Sequence, residues 1–208
     1  MSSNTITLGY WALPLRGQPI RYIFELAKFP YQQTLYTSAT ASNWFGKDKQ
    51  ELGLDFPNLP YLIKGDFKIT ESQNIVNYAI DITKQQHLLG TGQKTFKIDN
   101  IRFFCDELTS KVFLATRKSG EEKTTEINNV LIPKFKYLHK QLGNNVYFFD
   151  NKLSLADIFA YTAINVFKLK FNEEYQQFSS TFDPFMKNFE EIPLIKEYHN
   201  SDRYPKMP

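Results

Sequence analysis

The chain has a single cysteine, Cys105, so no internal disulfide can staple it. Its three histidines, His87, His139 and His199, lie far apart in sequence, so no thiolate–imidazole zinc site is expected. No apolar run approaches the roughly 18–20 residues needed to span a bilayer. The start, MSSNTITLGY, has no basic segment leading into an apolar stretch, and no Asn-x-Ser/Thr acceptor occurs. Charge of one sign is also scarce: 25 Lys and Arg against 22 Asp and Glu give +3, with the signs interspersed. A nucleic-acid binder would carry a larger, clustered excess. A Gly-rich phosphate loop, a His-Glu-x-x-His pair, a Cys-x-x-Cys pair and a Gly-x-Ser-x-Gly elbow are all missing. The expectation is a soluble, cytoplasmic protein with neither nucleic acid nor membrane as partner.

What is present is bulk for a core. The 208 residues are 42% hydrophobic and 23% charged, ordinary globular values that argue against disorder. Aromatics reach 16%, with 19 Phe and 12 Tyr, so packed rings must make up much of the interior.

The first third alternates strand and helix signals. Thr5–Tyr10 is β-branched and aromatic and reads as a strand. Ile20, Ile23, Phe24 and Ala27 follow at helical spacing, with Pro19 tolerated in the first turn. Tyr31–Thr37 reads as a second strand, parallel to the first because a helix joins them. A long polar connection, Ser38 to Asp55, exceeds ordinary loop length, which predicts function or local helix. Two antiparallel strands flank Lys64-Gly65-Asp66, and Ile75, Val76, Ala79 and Ile80 mark another helix, with Ser72 suited to its N-cap. Beyond a break near 84–94, helical periodicity covers roughly 95–118, 123–142, 157–169 and 185–200. The 157–169 stretch lacks a polar face and reads as buried. Ser154 and Asp157, three apart at its start, fit a reciprocal capping box.

Two places suit chemistry. At Asn58-Leu59-Pro60-Tyr61, proline opens a strand where it cannot join a ladder. A cis bond there would leave the Leu59 backbone free to pair with an extended peptide; an ordinary trans proline is the competing reading. At Glu71-Ser72, helix N–H groups and a hydroxyl suit a carboxylate, while the acid suits an amine. A simple helix cap explains the same two residues. Cys105, beside Phe103 and Phe104, reads as a buried structural thiol.

These segments, in this order, resemble the cytosolic glutathione transferases, most closely the mu class, with some sigma-like features. The resemblance rests on Leu8-Gly9-Tyr10-Trp11, on Arg16-Gly17 with Ile20-Arg21, and on the run Leu52 to Leu62. Ile69-Thr70-Glu71-Ser72 and Leu153-Ser154-Leu155-Ala156-Asp157 carry it further, so it spans nearly the whole chain. It implies an α/β plus all-α architecture: a thioredoxin-like glutathione-binding domain at 1–84, a linker at 85–93, and an all-helical domain at 94–208 carrying the hydrophobic substrate pocket. It implies a homodimer that joins glutathione, as co-substrate and without a resident cofactor, to hydrophobic electrophiles in detoxification. By the same resemblance, Tyr10 donates its hydroxyl to the glutathione sulfur and Trp11 lies beside it. Asn58, Leu59 and cis Pro60 hold the cysteinyl backbone, and Glu71 and Ser72 hold the γ-glutamyl end. Trp44 and either Lys47 or Lys49, with Lys49 favoured, reach the glycine carboxylate. Asp106 or Glu107 of the partner subunit completes the amine site, and Phe56 inserts into the partner.

The chain departs from the mu pattern in places. The spacing from Trp44 to Leu52 is one residue longer, and Glu71 stands where glutamine is usual. A late-helix tyrosine that assists electrophile opening is absent from Phe113-Leu114-Ala115-Thr116-Arg117. The alternatives are a non-catalytic ligand-carrying or structural relative and a sigma-type glutathione-dependent isomerase.

Overall fold

The computed structural model describes residues 5–149 and 151–206. Its contacts divide the chain into two units: one runs to Gln85 and takes in the tail from Asn200, and the other is Gln86–His199.

The first unit is built on a four-stranded sheet, β1 (Ile6–Trp11), β2 (Tyr31–Tyr36), β3 (Tyr61–Lys64) and β4 (Phe67–Thr70), in the order β2-β1-β3-β4. β1 and β2 are parallel, and the other two pairings are antiparallel. Ile6, Leu8 and Tyr10 alternate along β1 and are all buried. Helix α1 (Gln18–Leu26) joins β1 to β2, with Pro19 in its first turn, where a missing N–H costs no hydrogen bond. The long connection is locally helical: α2 (Ala41–Asn43), a wide turn at Trp44–Asp48, and α3 (Lys49–Glu51) follow without a break. Helix α4 (Ser72–Thr83) buries Ile75, Val76, Ala79 and Ile80. Its N-cap is Glu71, so Ser72 is the first helical residue and not the cap that its residue type suggested.

One charged side chain lies at the centre of this unit. Arg21 on α1 is fully buried. A buried guanidinium is tolerated only when its donors are satisfied. Here Nε donates to Gln33 Oε1 at 2.6 Å, Nη1 to the Leu13 carbonyl at 3.0 Å, and Nη2 to the Trp11 carbonyl at 3.2 Å. The tail docks on the same network. Arg203 Nη1 donates to Glu25 Oε1 at 2.7 Å, and Gln33 Nε2 donates to the Arg203 carbonyl at 3.1 Å.

The second unit contains the helices α5 (Gln93–Ala115), α6 (Gly120–Glu126), α7 (Ile132–Leu142), α8 (Leu155–Lys170), α9 (Asn172–Tyr175), α10 (Ser179–Glu190) and α11 (Pro193–His199). A turn at Ile127–Leu131 joins α6 to α7 without a break. α8 packs along α5 and is buried on nearly every side, as its missing polar face required. The abundant rings fill this core: Phe135 and Phe167 stack at 4.0 Å, with Phe178 and Phe182 around them. α10 begins six residues before the periodicity suggested and carries Pro184 inside it. A proline there removes one backbone bond, which burial of Phe182, Phe185, Met186 and Phe189 offsets.

Candidate functional site

Tyr10 sits near the end of β1 with its ring 5% exposed. Two features hold it. A Cβ on Gly17 would lie 2.5 Å from Tyr10 Cδ1, so only glycine lets α1 begin against this ring. The Arg21 guanidinium also lies over the ring, 5.8 Å from its centroid. Because Arg21 also grips the Trp11 and Leu13 carbonyls, it fixes the backbone that follows the tyrosine. Nothing in the composition or periodicity marked Arg21 for this task; a lone Arg on an apolar helix face was the available signal.

Around the ends of β1 and β2 lies a cluster of rings. Tyr36, Trp44, Leu54 and Tyr61 are buried together, and Trp11, Leu52, Leu59 and Ile63 pack against them. Trp44 stacks on Tyr61 at 5.9 Å, and Trp11 meets Tyr36 edge-on at 6.1 Å. The structure thus brings Trp11, Trp44 and Leu59 together. Tyr36 and Tyr61, which organise them, were not singled out from sequence. Lys47 and Lys49 are both exposed on the adjoining segment.

The Leu59–Pro60 peptide is cis. The Leu59 N–H, expected to be free for an extended peptide, already donates to Asn58 Oδ1 at 2.9 Å. An exposed N–H outside the ladder takes the nearest acceptor, and the preceding asparagine supplies it. Asn58 Nδ2 in turn lies 3.5 Å from Glu71 Oε1, linking the two sequence-predicted sites.

Glu71 has φ +65° and ψ 110° and is exposed. A non-glycine residue at positive φ carries strain of order 1–3 kcal/mol and is concentrated at functional sites. Ser72, buried, follows as the first residue of α4, where unpaired N–H groups favour an anion. Glu71 opens on a cavity of about 380 Å³ lined also by Leu54, Asp55, Phe56, Lys68 and Asn74. Phe56, 77% exposed, stands at its rim.

The other expected residues lie in the second unit. Asp106 and Glu107 are on α5; Glu107 is exposed and sits 3.5 Å from both Lys111 and Lys134. Asp157 is fully buried at the start of α8. Its Oδ2 accepts from the Ser154 N–H at 2.8 Å and the Ser154 hydroxyl at 2.6 Å, and its Oδ1 accepts from the Phe148 N–H at 2.8 Å. Burial pushes its carboxyl up to about 6, although these donors pull the other way. Cys105 is fully buried, and that burial, with Asp157 and Asp106 nearby, pushes its thiol far above the range of a nucleophile. Among the described residues, no group of three His, Cys, Asp or Glu could hold a metal ion.

Residues 6–81 match the family model for the glutathione S-transferase N-terminal domain, and residues 106–202 match that for the C-terminal domain. The chain is 30% identical over 98% of its length to glutathione S-transferase 2 of Gallus gallus, of which it covers 93%. It is 32% identical over 96% of its length to the class-mu 26 kDa glutathione S-transferase isozyme of Schistosoma mansoni, of which it covers 90%. Among solved structures, the glutathione S-transferase Blo t 8 superposes with a TM-score of 0.78 at 25% identity, covering 95% of this chain and 93% of that one.

Proposed function

This chain belongs to the glutathione S-transferase family, and we propose that it is an enzyme joining the glutathione sulfur to hydrophobic electrophiles, a detoxifying activity. The observation that carries this reading is Glu71, a strained, exposed acid at a helix start, opening on a cavity and linked to Asn58. A cap alone does not require a glutamate at positive φ, and backbone strain of this kind clusters at functional sites.

The reaction needs a thiolate. A free thiol has a pKa of about 8.5, so only a few per cent is ionised at neutral pH. A phenol with an ordinary pKa near 10 keeps its proton and donates it as a hydrogen bond, stabilising the charged sulfur. Tyr10 has that role. The γ-glutamyl amine goes to Glu71 and its carboxylate to Ser72, the cysteinyl backbone to Asn58, Leu59 and Pro60, and the glycine carboxylate to Trp44 and Lys49, with Trp11 alongside. For the cysteinyl amide to reach Leu59, Asn58 Oδ1 must release the N–H it now holds. Glutathione is consumed as co-substrate, not kept as a resident cofactor.

A homodimer completes the proposal, with Phe56 seated in the partner and Asp106 or Glu107 supplied across the interface. A cytoplasmic location belongs to the same reading; a lone, buried, unpaired cysteine suits a reducing compartment. Among the described residues, no helix is long and apolar enough to cross a membrane. Chloride release from an aryl chloride in the presence of glutathione tests the activity directly. Absence of both chloride release and glutathione binding by calorimetry would overturn the reading, and binding without turnover would leave a carrier.

A further inference from the structure

Tyr36 ends β2 and Tyr61 begins β3, yet their hydroxyl oxygens meet at 3.1 Å. The Tyr36 hydroxyl also donates to Asp48 Oδ2 at 2.6 Å. A phenol has one proton, and Tyr36 gives it to the carboxylate, so Tyr61 must donate in the other bond. The resulting chain, Tyr61 to Tyr36 to Asp48, runs from the residue after Pro60 to the helical segment of the long connection. Burial pushes the Tyr36 hydroxyl well above its ordinary range, and Asp48 adds to that, so the proton stays in place.

The segment needs such an anchor. The Lys49 N–H reaches back to the Trp44 carbonyl, five residues earlier, a wider turn than an α-helix makes. Single wide turns are rare and depend on their surroundings. The stack of Trp44 on Tyr61 at 5.9 Å and the Asp48 hydrogen bond grip this turn at both ends.

We infer that Asp48 and Tyr36 are positioning residues for the glycine end of glutathione: their hydrogen bond sets Trp44 and Lys49 against the Leu59-Pro60 segment that leads into β3. This rests on the proposed function, because it assigns that segment to the tripeptide. Neither residue touches substrate in this assignment.

Kinetics with glutathione and with γ-glutamylcysteine, which lacks the glycine, isolate the effect. Asp48→Ala and Tyr36→Phe are expected to raise KM for glutathione about tenfold, the loss of one net hydrogen bond's worth of ordering. KM for the dipeptide, and kcat with either thiol, should stay within about twofold of wild type. Asp48→Asn keeps an acceptor oxygen and should restore most of the affinity for glutathione. If Asp48→Ala does not fold, Tyr36→Phe carries the same comparison, since it keeps the ring and removes only the hydroxyl that donates to Asp48 and accepts from Tyr61. Equal increases for the two thiols, or no increase for either, would overturn the inference while leaving the transferase reading intact. A wild-type protein that takes neither thiol would overturn both.

Discussion

The ring of Tyr61 lies across Gly9 so closely that a Cβ built on the glycine would sit 2.1 Å from Tyr61 Cζ. The two residues face each other across the antiparallel β1–β3 ladder. Gly9 therefore sets how deeply Tyr61, and with it the hydrogen-bonded chain to Tyr36, can sink into the sheet.

Gly9→Ala should displace Tyr61 and cost about 1–3 kcal/mol, the usual range for overpacking a filled site. For a chain of this size that lowers the melting temperature by roughly 2–10 °C. Glutathione affinity should fall with it, because Trp44 stacks on the displaced ring. Thermal denaturation and a binding isotherm together check the expectation; an alanine variant that melts with wild type would contradict it.

Tyr10→Phe keeps the ring against Gly17 and Arg21 and removes only the donor. A hydrogen bond to a charged sulfur contributes roughly 1.5–3 kcal/mol. Turnover near pH 6.5 should drop about 10- to 100-fold, with glutathione affinity nearly unchanged. The deficit should narrow at alkaline pH, where the thiol ionises unaided. Wild-type turnover at pH 6.5 would remove Tyr10 from the mechanism.

Phe56 exposes most of a large apolar ring. Burying it in a partner would contribute about 1.5–3 kcal/mol, twice in a symmetric pair. Phe56→Ala should shift the protein toward monomer in sedimentation equilibrium at low micromolar concentration. An unchanged mass distribution would count against the proposed interface.

Asp157 holds three donors in a site closed to water. Asp157→Ala leaves them unpaired and should cost about 2–4 kcal/mol at neutral pH, more than an exposed cap. The folded carboxyl, raised to about 6, binds its proton more readily than the unfolded one. Its own contribution to stability therefore grows as pH falls from 6 toward 4, and declines as pH rises through that window. Denaturant titrations of both proteins across pH 4–7 should show that difference in slope.

His199 tests the opposite sign. It lies against Tyr161 at 5.9 Å, and burial lowers its imidazole to about 4. The unfolded chain takes the proton first, so His199 destabilises the fold as pH falls from about 6.5 to 4. His199→Phe should keep the stacking and flatten that loss. Parallel acid unfolding curves for the two proteins would show that His199 does not titrate as described.

The sequence by itself determined the order of elements in the first unit, because each has its own period: alternation in β1, helical spacing in α1 and α4, and a Lys64-Gly65-Asp66 turn between β3 and β4. It also marked Asp157 as a partner for Ser154, since a capping box lies within four consecutive residues. Only the tertiary structure decided what joins residues far apart in the chain. Tyr36 meets Asp48 and Tyr61 across separations of 12 and 25 residues, and Gln33 meets the Arg203 carbonyl across 170. A tyrosine ending a strand looks the same in sequence whether its hydroxyl faces water or a buried carboxylate. Nor could residue type reveal that Glu71 adopts positive φ, or that the chain from Trp44 to Asp48 winds into a widened turn. Those choices follow from which side chains the packed sheet leaves space and partners for, and local propensity carries no record of them.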